Sequence, residues 1–286
     1  MTAQSVRSVR DKRFGVGAEP APAPARRRRR LGPGRRIPYG RVLGPVLILA
    51  VWSAASATGV LDPRLVSAPW TVIDEAWQLT RGQGELQSDF LVSAQRAMIG
   101  LGTGVVVGTA LAVAAGLSRV GDAVVDGAMQ VKRAIPALAL IPLMILWLGI
   151  GEEMKIVTIA LFVLVPVYIN TYAGLAGIDA RYVELAEVVG LSRRQFITKV
   201  VIPGALPGWF TGLRLGVTGS WLALIVVEQI NAQSGIGYMM FQAQQYGQTD
   251  VILVGLLVYG LFGFVTDAVV RLIERRALSW RQTLGS

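Results

Sequence analysis

Along this chain hydrophobic positions come in long blocks separated by short polar stretches, rather than in the tight alternation of strands. A helix that crosses a bilayer needs about 20 mostly apolar residues. Six stretches meet or approach that length: Val42–Val60, Phe90–Leu117, Ala134–Ile150, Ile156–Ala176, Pro207–Ile230 and Val251–Ile273. The third is short and holds Pro136 and Pro142, so a bend is expected there, because proline removes a backbone donor and distorts a helix. The pattern predicts an all-α polytopic membrane protein with six transmembrane helices. Between the first two spans, "SAPWTVIDEAWQL" places Val72, Ile73, Ala76, Trp77 and Leu79 at helical spacing. That suits a short helix lying on the outer interface, with its tryptophans at headgroup depth.

The longest polar interruption, "ELAEVVGLSRRQFITKVVIP" (Glu184 to Pro203), separates the fourth and fifth spans. It predicts two short helices. The first runs from Arg181 to Val189 with Asp179 as a cap, and its Tyr182, Leu185, Ala186 and Val189 share a face. Gly190 follows, where a left-handed residue costs least. The second starts at Ser192 as N-cap with Gln195 completing a capping box, and Leu191 and Phe196 hold the staple positions. Ile197, Val200 and Val201 continue its apolar face, and Pro203 is expected to stop it. At about 1.5 Å per residue each helix is roughly 14 Å long, too short to span. Such an amphipathic elbow suits either the groove of a soluble partner or a lipid surface.

Small residues form two ridges: Gly100, Gly104 and Gly108 in the second span, and Gly208, Gly212, Gly216 and Ser220 in the fifth. Positions four apart share one helix face, and small residues there let another backbone approach closely. The partner is a helix of the same chain or of a neighbouring subunit.

Composition agrees with a membrane protein. Of 286 residues 53% are hydrophobic and only 16% charged, against about 25% charged in a soluble domain. With no Cys and no His, thiol and imidazole chemistry and the usual metal ligands are excluded. No catalytic residue and no metal site are expected. A membrane enzyme would need a convergent nucleophile and base, and no Ser/Lys or Asp pair stands out in the spans. A secondary carrier would want carboxylates or histidines at mid-membrane. Arg96, Arg214 and Glu228 instead lie near span ends, close enough to an interface to snorkel. The phosphate-loop pattern G-x-x-x-x-G-K-[ST] does not occur, so ATP chemistry would belong to another chain.

The net charge of +10 reflects topology rather than nucleic-acid binding. Twelve of the 28 Lys/Arg precede residue 42, and a cytoplasmic N-terminus places 23 on the cytoplasmic side against three outside. Basic residues are retained in the cytoplasm, so both termini are expected there. Residues 1–40 are rich in Arg, Pro and Ala with little to bury and are read as a disordered basic tail. The run "RRRRRLGPG" before an apolar segment, with "ASA" at 55–57, has features of an export signal. Its basic region is too long for a cleaved one, and the apolar segment is needed for an even span count. The expected organisation is a tail over 1–40, a transmembrane domain over 41–280 with the elbow at 179–203, and a short cytoplasmic tail over 281–286.

The elbow carries a resemblance. "ELAEVVG…VVIP" resembles the EAA loop of ABC-transporter permeases: E-A-A, three residues, G, nine residues, then I-x-L-P. Glu184, Ala186, Gly190 and Pro203 fall on that pattern, while Leu185, Val200 and Ile202 depart from it conservatively. Over about residues 42–280 the chain is similar to permeases of the aliphatic sulfonate, taurine, nitrate and bicarbonate importers. "LALIPLMILWLGIG", "YINTYAG", "IPGALPGWFTGLRLG", "WLALIVVE", "SGIGYMM" and "QTDV" most resemble aliphatic sulfonate permeases.

The resemblance implies a type I ABC importer permease fold in the bacterial cytoplasmic membrane, working as a homodimer with a second copy of itself. It implies two ATP-binding subunits docked on cytoplasmic coupling helices, an extracytoplasmic solute-binding protein, and ATP and Mg bound by the partner ATPase with no cofactor in this chain. Glu184, Ala186, Gly190, Ser192, Gln195 and Pro203 would be the ATPase-coupling residues. Gln229, Asn231, Gln233 and Ser234, neutral groups at the outer end of the fifth span, are candidates for the path of a small organic anion. Glu228 beside them would repel an anion unless it pairs with a basic residue.

Overall fold

The computed structural model describes residues 40–82 and 85–280, with the backbone alone for Gly40, Arg41 and Asn231. The two expected tails, 1–40 and 281–286, lie outside the described residues apart from Gly40. Every regular element among the described residues is helical.

The first helix, α1 (Gly40–Ala57), is shorter than the expected span. The Thr58 hydroxyl bonds the Ala54 carbonyl at 2.9 Å and Gly59 takes φ +71°, which turns the chain before Val60. Next, α2 (Pro69–Arg81) is the short helix expected between the spans, with Pro69 in its first turn, where a missing N–H costs nothing. It buries Val72 and exposes Ile73, Trp70 and Trp77.

Among the described residues four helices are long and apolar enough to cross a membrane: α3 (Glu85–Leu117), α6 (Glu152–Ala176), the 38-residue helix Arg193–Ile230, and α11 (Thr249–Ala277). The Arg193–Ile230 helix comprises α8 (Arg193–Phe196), a π-helical turn at Ile197–Val201, and α9 (Ile202–Asn231). Two shorter helices complete this end of the chain, α7 (Ala180–Val188) before it and α10 (Ile236–Gln245) after it.

The expected third span is different. Two helices, α4 (Arg119–Ala134) and α5 (Ala137–Leu148), meet at 91° and count as a fifth span only when taken together. The stretch before Ala134, which the hydrophobic pattern leaves between spans, is helical. The bend falls at Ile135, which sits at φ −89°, ψ 118°, because a residue preceding proline is driven out of the helical region. Pro142 lies in the first turn of the α-helical part of α5 after a 3₁₀ turn, so it does not bend that helix. Asp122 and Asp126, on the π-helical turn of α4, accept hydrogen bonds from Tyr172 and Tyr168 of α6. These two carboxylates are therefore the anchors of α4 on α6.

The centre of the bundle is α6, with α3 on one side and α9 on the other. Both glycine ridges face it. A Cβ at Gly104 would lie 2.7 Å from the Ala160 carbonyl, and one at Gly108 would lie 2.8 Å from that of Leu164. From the other side, a Cβ at Gly212 would lie 2.9 Å from the Pro166 carbonyl, and one at Gly208 would collide with that of Asn170. The ridges thus serve packing within the chain. Ile159, Val163, Val167, Val217, Leu224 and Val227 fill the space between them.

Candidate functional site

Two features stand out from this frame: the elbow between α6 and α9, and a buried charge network at the opposite end of the same helices.

The elbow is built by local chemistry. The Asp179 carboxylate accepts from the Arg181 N–H at 2.9 Å and starts α7. At the other end, the Gly190 N–H bonds the Glu187 carbonyl at 3.0 Å and the Leu191 N–H bonds that of Ala186 at 2.9 Å. This pair of bonds closes a helix through one left-handed residue, and Gly190 supplies it at φ +70°. One residue after Leu191 the capping box forms. The Ser192 hydroxyl accepts from the Gln195 N–H at 3.3 Å, and the Gln195 side chain accepts from the Ser192 N–H at 3.0 Å. Ala186 is buried, whereas Tyr182, Leu185 and Val189 are more than half exposed. Glu184 is exposed as well.

Pro203 does not stop the second helix. The Ile202 N–H reaches back five residues to the Ile197 carbonyl, and the chain passes through this π-helical turn into α9. A wider turn relieves the clash that a proline ring makes with the carbonyl four residues back, here Lys199. The second arm of the elbow and the fifth span are consequently one continuous rod.

The charge network lies where α3, α6, α9, α10 and α11 converge. Glu228 is fully buried and accepts from Ser93 Oγ at 2.8 Å, Arg96 Nη1 at 2.7 Å, the Gly237 N–H at 2.9 Å and the Tyr259 hydroxyl at 2.8 Å. Arg96, 3% exposed, uses its other edge on Glu152, Nε to Oε2 at 2.6 Å and Nη2 to Oε1 at 2.7 Å. Lys155 Nζ donates to the same Glu152 Oε1 at 2.8 Å. The inner edge of Arg96 also donates to the Ser234 carbonyl at 2.6 Å. Arg96 and Glu228 therefore do not snorkel. A buried charge is tolerated only when paired and fully hydrogen-bonded, and here each is. Arg214, partly exposed, lies 3.6 Å from Asp267 and 3.8 Å from Glu274 of α11.

The turn "SGIG" (Ser234–Gly237) exists to admit this carboxylate. Gly235 sits at φ +112°, and a Cβ there would run into Glu228 Oε1; one at Gly237 would lie 2.6 Å from Glu228 Cβ. The Gly235 N–H bonds Asp89 at 2.7 Å and the Ile236 N–H bonds Ser93 Oγ at 2.9 Å, which ties the turn to α3.

The family described as binding-protein-dependent transport system inner membrane component matches residues 100–279. The chain belongs to that family. The SsuC protein of Escherichia coli (strain K12), named as an aliphatic sulfonates transport permease, is 43% identical over 236 residues, 82% of this chain and 89% of the relative. The SsuC protein of Bacillus subtilis (strain 168), with the same name, is 37% identical over 257 residues, 89% and 92% of the two. Among solved structures, an amino acid ABC transporter crystallised with histidines aligns with TM-score 0.57 at 17% identity, over 70% of this chain and 97% of that one. That likeness is one of fold. The chain is the membrane-spanning permease component of an ABC importer.

In this permease the expected path residues do not form one group. Ser234 belongs to the charge network through its carbonyl and through its hydroxyl, which accepts from Arg96 Nη2 at 3.3 Å. Gln229 is half-buried, Gln233 is exposed, and the Asn231 side chain lies outside the described residues. Glu228 does pair with a basic residue. Glu152 and Lys155, which the span pattern left in a loop, are full members of the network, as are Ser93 and Tyr259. One signal was available: a lone cation in the second span and a lone carboxylate in the fifth have few partners but each other.

Proposed function

We propose that this permease imports aliphatic sulfonates, working as a homodimer with two ATP-binding subunits and an extracytoplasmic solute-binding protein. What supports the solute is the similarity to two relatives named for aliphatic sulfonates transport, at 43% and 37% identity over most of both chains. Orientation follows from charge. With the elbow in the cytoplasm, both termini lie there too, and 23 of the 28 Lys/Arg sit on that side.

Coupling rests on the elbow. Exposed Tyr182, Leu185 and Val189, with Glu184 between them, offer an apolar ridge and one charge to a groove on the ATPase. Closure of the ATPase pair on ATP moves that groove. Gly190 and the capping box hold the corner stiff, and α8 is continuous with α9, so the displacement passes directly along the fifth span. The opposite end of α9 carries Glu228, where the charge network holds the bundle together. Alternating exposure then amounts to a rod pivoting between its docked end and its charged end.

The test is growth of a strain lacking this gene on alkanesulfonates as sole sulfur source, beside matched tests on taurine and nitrate. A defect confined to alkanesulfonates is expected. Normal growth there with a defect on taurine or nitrate alone would move the solute to that compound and leave the importer assignment standing.

A further inference from the structure

Two clefts open near the charge network, and their electrostatics differ. The larger, about 750 Å³, is lined by Glu75, Glu85 and Asp89 and repels an anion. The smaller, about 290 Å³, has Arg96 and Glu152 in its wall, Val92, Ile99 and Ile156 as apolar surface, and Gln95 beside them.

At the smaller cleft Glu152 stands over two cations, Arg96 in the cleft wall and Lys155 buried behind the carboxylate, and these are held differently from it. Arg96 is fixed from within by Glu228 and the Ser234 carbonyl through Nη1. Its outer edge, Nε and Nη2, faces Glu152, and so does Lys155 Nζ. Both cations are about 95% buried as side chains, while the Glu152 side chain is 56% exposed. Three cationic donors therefore converge on two carboxylate oxygens, and Oε1 serves two of them. Glu152, more than half exposed, has a route to solvent, whereas Glu228, with no exposure, has none.

We propose that Arg96 and Lys155 form an anion subsite masked by Glu152, and that an alkanesulfonate enters it by exchange. A sulfonate carries three oxygens on one sulfur, one for each donor, and the charge it brings equals the charge that swings out. The alkyl chain lies on Val92, Ile99 and Ile156. Exchange also resolves the difficulty that a bare pair of buried cations would hold an anion too tightly to release it: the returning carboxylate displaces the solute. The subsite rests on the reading of the solute as an anion.

The test uses the permease purified with its ATP-binding subunits in lipid nanodiscs, without binding protein, and equilibrium binding of ³⁵S-ethanesulfonate. Glu152→Gln removes the competing charge and is expected to tighten binding by about tenfold or more, the scale of a charge-assisted hydrogen bond. Adding Lys155→Gln should reverse most of that gain. Equal binding by the unaltered protein, E152Q and the double variant would overturn the subsite. Should E152Q fail to assemble, Lys155→Met alone is read the same way: loss of binding supports the subsite, unchanged binding overturns it. Nitrate is run in parallel. Binding that responds to these variants with nitrate but not with ethanesulfonate would keep the subsite and overturn the sulfonate assignment instead.

Discussion

Arg96 and Glu228 stand 132 positions apart in the chain and meet at 2.7 Å in a place that water does not reach. The contact ties α3 to α9, and the further bonds from Gly237 and Tyr259 bring in α10 and α11. Removing Glu228 leaves the buried Arg96 with Glu152 as its remaining counter-ion and strips the acceptor from Ser93, Gly237 and Tyr259, and breaking a buried pair costs about 3–5 kcal/mol. Glu228→Ala is therefore expected to lower the thermal unfolding midpoint sharply in detergent, and Glu228→Gln, which keeps the shape and part of the hydrogen bonding, to lower it less. An unshifted midpoint in E228A would mean that the network does not hold the bundle.

The carboxylate also explains a glycine. At Gly235 a side chain meets both a left-handed backbone and Glu228 Oε1. Gly235→Ala should destabilise by about 1–3 kcal/mol, the range for strained or overpacked sites. In a Glu228→Ala background the contact with the carboxylate is gone, and the backbone term and a 2.8 Å approach to Arg96 Nη1 remain, so the two losses should be less than additive. A double-mutant cycle in thermal unfolding reads this directly, and strict additivity would separate the glycine from the carboxylate.

The ridges give a position-specific contrast within one helix. Gly104 has the Ala160 carbonyl 2.7 Å from where its Cβ would be, whereas Gly102 has nothing within 4 Å. Gly104→Leu should cost about 1–3 kcal/mol through overpacking, and Gly102→Leu should be near neutral. Comparable loss of folded protein in both, followed by fluorescence-detected gel filtration, would show that α3 does not face α6 through its glycines.

What the sequence made legible was whatever depends on neighbours in the chain. The capping box at Ser192 and Gln195, the left-handed Gly190 and the glycine spacing are all short-range chemistry, and each appears where its spacing puts it. What it concealed depends on partners far away. Arg119–Ala134 falls outside the apolar blocks, and the partners that anchor its Asp122 and Asp126, Tyr172 and Tyr168, stand 50 and 42 residues on. Pro203 looked like a stop because the rule for proline assumes a regular α-helix, and a π-helical turn suspends that assumption. Glu152 and Lys155 looked like loop charges until α3 brought Arg96 to them.

At the elbow, Gly190→Val forces a β-branched residue to φ +70°, where L-residues pay about 1–2 kcal/mol and branched ones more. The corner lies outside the packed bundle, so membrane insertion should persist while transport and ATPase docking fall. Gly190→Asn, which tolerates the left-handed region, should retain most activity. Uptake by the valine variant at the unaltered rate would show that the corner's geometry does not govern coupling.

The sharpest test of the rod concerns Pro203. A π-helical turn holds one more residue than an α-turn, so it offsets the elbow from α9 by about 100° of rotation and 1.5 Å of rise. Pro203→Ala restores the backbone donor and removes the ring that the wide turn accommodates. The helix is then expected to regularise, and the extra residue must rotate the elbow out of register with the ATPase groove. Uptake per ATP hydrolysed should fall in proteoliposomes, with expression and unfolding midpoint little changed. Deleting exposed Thr198 in the same background takes out the extra residue, so the elbow should return to register and coupling should recover. Full coupling in Pro203→Ala, or no recovery on deletion, would show that register along this rod is not what transmits the motion.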